Sequence, residues 1–150
     1  MQGLHLTSLL SILILMITAF IMPVIKQRQL VTKISLATMW VVLAMLALVA
    51  VDVARVEHYT ATIGHYDAPF GITFDIGPIE AVVGVLFAFV STMVVWYASF
   101  GIHKEIKENR VKLFYTLIHL LLASLLGIVF TSDLFNSFVF IEVSTLAACG

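Results

Sequence analysis

Glu142 is the residue whose type and position point most directly to chemistry. It lies in the middle of the apolar stretch from Ser132 to Gly150. An acidic side chain at the centre of a membrane helix costs about 2.5–3.5 kcal/mol on insertion scales. A partner cation, a water-filled cavity or a proton on the carboxylate would offset that cost. A carboxylate in apolar surroundings is suited to proton relay, because burial favours its protonated form. The alternative is a carboxylate that only hydrogen-bonds a neighbouring helix.

His119 is a second ionisable side chain within an apolar segment. Lys112, Tyr115 and Thr116 precede it by seven, four and three residues, so the four form a polar stripe on one predicted helix. Histidine exchanges protons in the physiological pH range. Counted along the helices, His119 lies about 6 Å from the level of Glu142, a gap that one or two waters could bridge. The alternative is a histidine hydrogen-bonded to a backbone or hydroxyl group.

Lys112 and Asp133 are weaker candidates for the same proton path. The alternative for Lys112, which the sequence favours, is a basic anchor at the membrane surface. Asp133 precedes the last apolar segment, and a helix N-terminus favours a carboxylate at that position. The sequence has no nucleotide-binding glycine motif and no cysteine pair, since Cys149 is its only cysteine. We therefore predict no cofactor, no metal, and no redox or hydrolytic site.

The composition is that of an integral membrane protein. Hydrophobic residues make up 61% of the 150 residues and charged residues 11%. Soluble domains are typically about 45–50% apolar and about 25% charged. The net charge of -1 gives no indication of nucleic-acid binding. The lipid bilayer is thus the first predicted partner.

Five apolar segments predict an all-α membrane fold in one domain, residues 1–150. A span takes about 17–25 residues, and the predicted helices cover residues 4–22, 34–52, 79–102, 112–131 and 134–150. The last helix is short, near 25 Å at about 1.5 Å per residue. The connection 55–78 has its own pattern, because apolar and polar residues alternate in 59–63 and in 70–74 around a turn-rich centre. It predicts a short β-hairpin, with an irregular loop as the alternative.

The charges of the connections predict the orientation. The second connection carries one basic residue, Arg55, against three acidic ones. By the positive-inside rule the first and third connections are cytoplasmic, so the N-terminus and the hairpin lie outside the cytoplasmic membrane. The basic residues of those two connections are Lys26, Arg28, Lys33, Lys104, Lys107 and Arg110.

Phe114 to Gly150 resembles helices four and five of the antiporter-like membrane subunits. This family includes an ion-translocating subunit of the Mrp-type cation/proton antiporters, the large proton-pumping subunits of respiratory complex I and their counterparts in membrane-bound hydrogenases. The most specific part is the pattern T-x-D-L-F-N-x-[FY]-V-F-x-E-V, which spans Thr131 to Val143, and Ala68 to Asp75 resembles the segment before helix three. The resemblance implies the N-terminal part of a fourteen-helix fold built on two inverted five-helix repeats.

The resemblance also implies a role for Glu142. It falls on the family's essential helix-five glutamate, which pairs with a lysine on helix seven during proton translocation. The matched stretch has no helix seven, so the resemblance leaves two expectations. Either another membrane subunit supplies the missing helices and the lysine, or this is a truncated or specialised subunit. The expected function is a membrane subunit of a multisubunit cation/proton antiporter or ion-pumping respiratory complex, moving protons and in some members Na⁺. The alternatives are a non-conducting structural subunit of such a complex and an unrelated cytochrome-type membrane anchor.

Overall fold

The computed structural model describes the backbone of residues 2–56, 59–63, 72–105 and 108–150, and the side chains of 7–27, 29–55, 76–101 and 110–150. The predicted all-α membrane class is confirmed, with five helices in the described part of the chain. In chain order the elements are α1 (Gln2–Ile21), α2 (Arg28–Val56), β1 (Tyr59–Ile63), β2 (Ile72–Ile76), α3 (Pro78–Glu105), α4 (Glu108–Phe130) and α5 (Leu134–Cys149).

Three helices are long and apolar enough to cross a membrane by themselves. Their spans are Gln29–Arg55, Pro78–Gly101 and Arg110–Phe130. The apolar stretches Thr7–Ile21 of α1 and Leu134–Cys149 of α5 are shorter. Because successive apolar helices pack side by side, the chain is a multi-pass membrane protein.

The second helix is longer than the sequence predicted. It begins at Arg28 and ends at Val56, whereas the charge-free run suggested 34–52. Long basic side chains such as Lys33 can bury their aliphatic stems and keep the charge at the membrane surface, so a helix continues past them. Charges therefore mark where a helix meets the interface and do not mark where it ends.

The connection between α2 and α3 contains the predicted strand pair. β1 and β2 are antiparallel, with Tyr59 opposite Ile76 and Ile63 opposite Ile72. The second strand lies two residues beyond the predicted run 70–74, because its pairing with β1 continues until Ile76, which is buried in the protein core. The predicted turn-rich centre falls outside the described residues. β2 contacts both α3 and α4, which supplies the packing that two strands need for stability.

The core lies among α1, α2, α3 and α4, and α5 packs on α4 at one edge. α3 is antiparallel to α2, and the hydroxyl of Thr92 lies 3.5 Å from the Met39 carbonyl oxygen across that interface. α3 is also antiparallel to α4, since Gly84 near its start faces Phe130 at the end of α4. α2 and α4 therefore run in the same direction. This shared direction fixes which of their residues lie at the same level.

Candidate functional site

Several polar residues of the Thr131–Val143 pattern form hydrogen bonds at the start of α5. Asp133 has an extended backbone, with φ -93° and ψ 124°, and caps the helix by accepting a hydrogen bond from the Phe135 amide at 3.1 Å. The Asn136 side-chain amide donates to the Thr131 hydroxyl at 3.1 Å. The backbone amide of Asp133 donates to the same hydroxyl at 3.3 Å. Asp133 thus has a structural task, as cap, that fixes where α5 begins.

One face of α5 lies against α4. Phe140 packs so closely on Gly127 that a Cβ added to this glycine would lie 2.5 Å from two atoms of the ring. At the C-terminal end of α5, Gly150 lies beside Leu117 of α4. Ala147, two turns after Phe140, is the buried residue of α5. These contacts set the rotation of α5 about its own axis.

Glu142 lies on the opposite face of α5. It is two residues after Phe140, which places it about 200° around the helix axis at 3.6 residues per turn. Its side chain is exposed, and no hydrogen bond or ion pair joins it to another described side chain. Its neighbours on this face are large, exposed and apolar: Leu134, Phe135, Phe138, Ile141 and Leu146. An open groove of about 640 Å³ runs beside the first turns of the same face.

His119 lies in the interior of the bundle. It is fully buried, and its Nδ1 lies 2.7 Å from the backbone carbonyl oxygen of Tyr115. Its other ring nitrogen, Nε2, has no partner among the described residues. Tyr115 is also fully buried; its hydroxyl lies beside Thr32 but makes no hydrogen bond of good geometry within the described chain.

The structure divides the predicted polar stripe of α4. Tyr115 and His119 point inward, whereas Lys112 and Thr116 are only partly buried. The Thr116 hydroxyl donates to the Lys112 carbonyl oxygen at 3.0 Å, a bond within the helix. Glu142 is on the far side of α5 from α4, so the structure does not bring His119 and Glu142 together. No group of His, Cys, Asp and Glu among the described residues is placed to hold a metal ion.

Gly127 and Phe140 are the positioning residues that sequence reasoning missed. The signal was a glycine inside an apolar helix, and small residues mark close helix contacts in membranes. A single glycine does not reveal which residue of another helix packs on it. The contact with Phe140 therefore had to come from the structure.

Proteins named as antiporter subunits resemble this chain over most of its length, although no family model matches it. The chain is 32% identical over 142 residues to an antiporter subunit of Staphylococcus epidermidis named mnhD2, covering 93% of this chain and 28% of that protein. It is 30% identical over 141 residues to the protein of the same name in Staphylococcus aureus, again covering 93% of this chain and 28% of that protein.

A solved structure agrees with these relatives. One chain of the membrane-bound sulfane sulfur reductase, an archaeal respiratory membrane complex, matches with a TM-score of 0.77 and 26% sequence identity. The match covers 94% of this chain and 29% of that chain. The resemblance to antiporter-like membrane subunits is confirmed. The sequence spans less than a third of the length of each of these relatives.

Proposed function

We propose that this chain forms part of a membrane subunit of a multisubunit cation/proton antiporter or of an ion-pumping respiratory complex, and that Glu142 takes part in moving the ions. The observation that carries the proposal is the position of this carboxylate on an apolar face of α5 that no described part of the chain covers. The relatives named as antiporter subunits support the class of complex.

The surroundings of Glu142 indicate what should cover it. A lipid-facing surface would suit Phe138, Ile141 and Leu146, but it would leave a carboxylate among acyl chains. Carboxylates within membranes almost always face a protein interior or a water-filled cavity and pair with another group. We therefore infer that another helix, bearing a lysine or arginine, packs on this face. A carboxylate next to such a cation can gain and lose a proton as the cation moves toward it or away.

The proposed orientation places the N-terminus outside the cell membrane. Lys26 in the connection after α1, Lys33 near the start of α2 and Arg110 near the start of α4 are exposed. The directions of the helices place all three at the same end of the bundle. A cluster of basic residues at one end is typical of the cytoplasmic side. Glu142 then belongs to a helix that runs toward the cytoplasm.

Cysteine labelling tests this orientation. Cys149 is an exposed free thiol, so the background variant is Cys149→Ser, with single cysteines added as Gln27→Cys or His65→Cys. An impermeant maleimide applied to intact cells is expected to label the cysteine at position 65 and to label the one at position 27 only after permeabilisation. The reverse pattern would overturn the orientation.

The test of the proposed function is cation-driven proton flux through the assembled complex. Everted membrane vesicles, loaded with a pH-gradient dye, report proton movement after addition of Na⁺ or K⁺. Wild type is compared with Glu142→Gln at equal complex content on a native gel. If the chain is only a structural subunit, the variant should transport as well as wild type.

A further inference from the structure

Three polar atoms in the bundle interior have no hydrogen-bond partner among the described residues. They are the hydroxyl of Ser35 on α2, and the Tyr115 hydroxyl and His119 Nε2 on α4. All three residues are 0% exposed. Buried polar atoms are nearly always bonded to protein or to ordered water, so three such atoms require an explanation.

The hydrogen bond at Nδ1 determines which ring nitrogen of a neutral His119 carries the proton. A carbonyl oxygen only accepts, so Nδ1 must carry the proton that it donates to the Tyr115 carbonyl at 2.7 Å. In the neutral ring Nε2 is then an acceptor with a free lone pair. The two hydroxyl groups can each donate, and a water molecule can donate to Nε2 while it accepts from both hydroxyls.

The three polar atoms lie within about one helical turn of each other along the bundle. α2 and α4 run in the same direction, and Tyr115 lies beside Thr32. Ser35 is three residues beyond Thr32, and His119 is four residues beyond Tyr115. Ser35 and His119 therefore both lie about one helical turn beyond the contact between Tyr115 and Thr32, each on the same face of its helix as that contact. Both side chains belong to the buried faces of their helices.

Buried apolar residues precede and follow this polar region along the helices. Toward the starts of α2 and α4 lie Val31 and Val111, with Met22 at the end of α1, all fully buried. Toward the other ends lie Met39 and Leu122, also buried. The three polar atoms thus lie in the buried interior of the bundle. A water enclosed in this way needs two to four polar partners, and the three atoms supply that number.

We propose that the interior between α2 and α4 contains a bound-water site, in which at least one water bridges His119 Nε2 and the hydroxyls of Ser35 and Tyr115. The site is separate from Glu142, which lies beyond α4 on the far face of α5. It gives His119 a hydrated environment within the core without opening that core to either surface. The inference depends only on the packing of α2 and α4, so it stands whether or not Glu142 carries protons.

Solid-state NMR of the full chain in lipid nanodiscs tests the site. With ¹⁵N- and ¹³C-labelled histidine, the His119 signals are assigned by their loss in His119→Gln. The expected ¹⁵N shifts are those of a neutral ring with its proton on Nδ1, and water-edited spectra should show magnetisation transfer from water to the ring. Ser35→Ala combined with Tyr115→Phe should remove most of that transfer.

The matched control is Ser124→Ala. Ser124 is a buried serine of the same helix, but its hydroxyl already donates to the Leu121 carbonyl oxygen at 2.8 Å. This variant should keep the water transfer to His119 at the wild-type level. A His119 ring that receives no transfer from water in the folded wild type would overturn the proposal. So would a ring protonated at Nε2, or transfer that survives unchanged in the Ser35→Ala, Tyr115→Phe variant.

Discussion

A complex that carries Glu142→Gln is expected to assemble normally and to lose most of its cation-driven proton flux. Glutamine keeps the size of the side chain and its capacity for hydrogen bonding, but it removes the charge and the exchangeable acid proton. We expect the flux to fall at least about tenfold, which corresponds to about 1.4 kcal/mol in barrier height. Glu142→Asp, shorter by one methylene group, should retain part of the flux because its carboxylate can still titrate.

The matched control for this prediction is Glu80→Gln. Glu80 lies in the first turn of α3 and accepts a hydrogen bond from the Gly77 amide at 2.9 Å, a bond that glutamine can also accept. This variant should transport as wild type does. His119→Gln should reduce the flux less than Glu142→Gln does, because His119 lies inside the bundle, away from the face of α5 that carries Glu142. A fully assembled Glu142→Gln complex with wild-type flux would contradict the relay role and leave the structural-subunit alternative.

Gly127→Ala is expected to lower the free energy of unfolding and to displace α5. The new Cβ would lie 2.5 Å from two ring atoms of Phe140 and 2.6 Å from its Cγ. Because the whole near edge of the ring is involved, a small rotation of the side chain cannot relieve the overlap. Overpacking of this kind typically costs about 1–3 kcal/mol. Thermal unfolding in detergent micelles measures the change.

Two further variants make this prediction specific. Gly101→Ala is the control, since a Cβ there meets no atom within 4 Å and alanine favours a helix by up to about 1 kcal/mol over glycine. Phe140→Leu combined with Gly127→Ala should recover part of the lost stability, because the ring that overlaps the new methyl group is gone. If Gly127→Ala unfolds at the wild-type temperature, the close contact between α4 and α5 is wrong.

The fold class could be predicted from the sequence because membrane-spanning segments are recognisable by their length and apolar composition. Apolar runs of span length place the helices. Alternating residues indicate a strand pair at 59–63 and 70–74, which the structure places at Tyr59–Ile63 and Ile72–Ile76. The ends of α2 did not follow, because a helix continues through charged residues that reach the membrane surface. The shift of the second strand depended on its register with the first and on the burial of Ile76.

The sequence identified the carboxylate of the candidate site but not the direction in which it points. Glu142 stands out in the sequence as a carboxylate in an apolar helix, but α5 is apolar on nearly every side, so periodicity does not say which way the carboxylate points. The contact between Phe140 and Gly127 decides that direction. Spacing alone grouped His119 with Lys112 on one stripe, whereas the packing of α4 in the bundle buries the histidine and leaves the lysine partly exposed.

The most direct measurement of the role of Glu142 is a cryo-electron microscopy structure of the assembled complex at a resolution that shows side chains. We predict that another helix covers the face of α5 formed by Phe138, Ile141, Glu142 and Leu146, and that its lysine or arginine nitrogen lies within about 4 Å of the Glu142 carboxylate. Lipid acyl chains against this face, or a covering helix with no cation near Glu142, would contradict the proposed ion-translocating role.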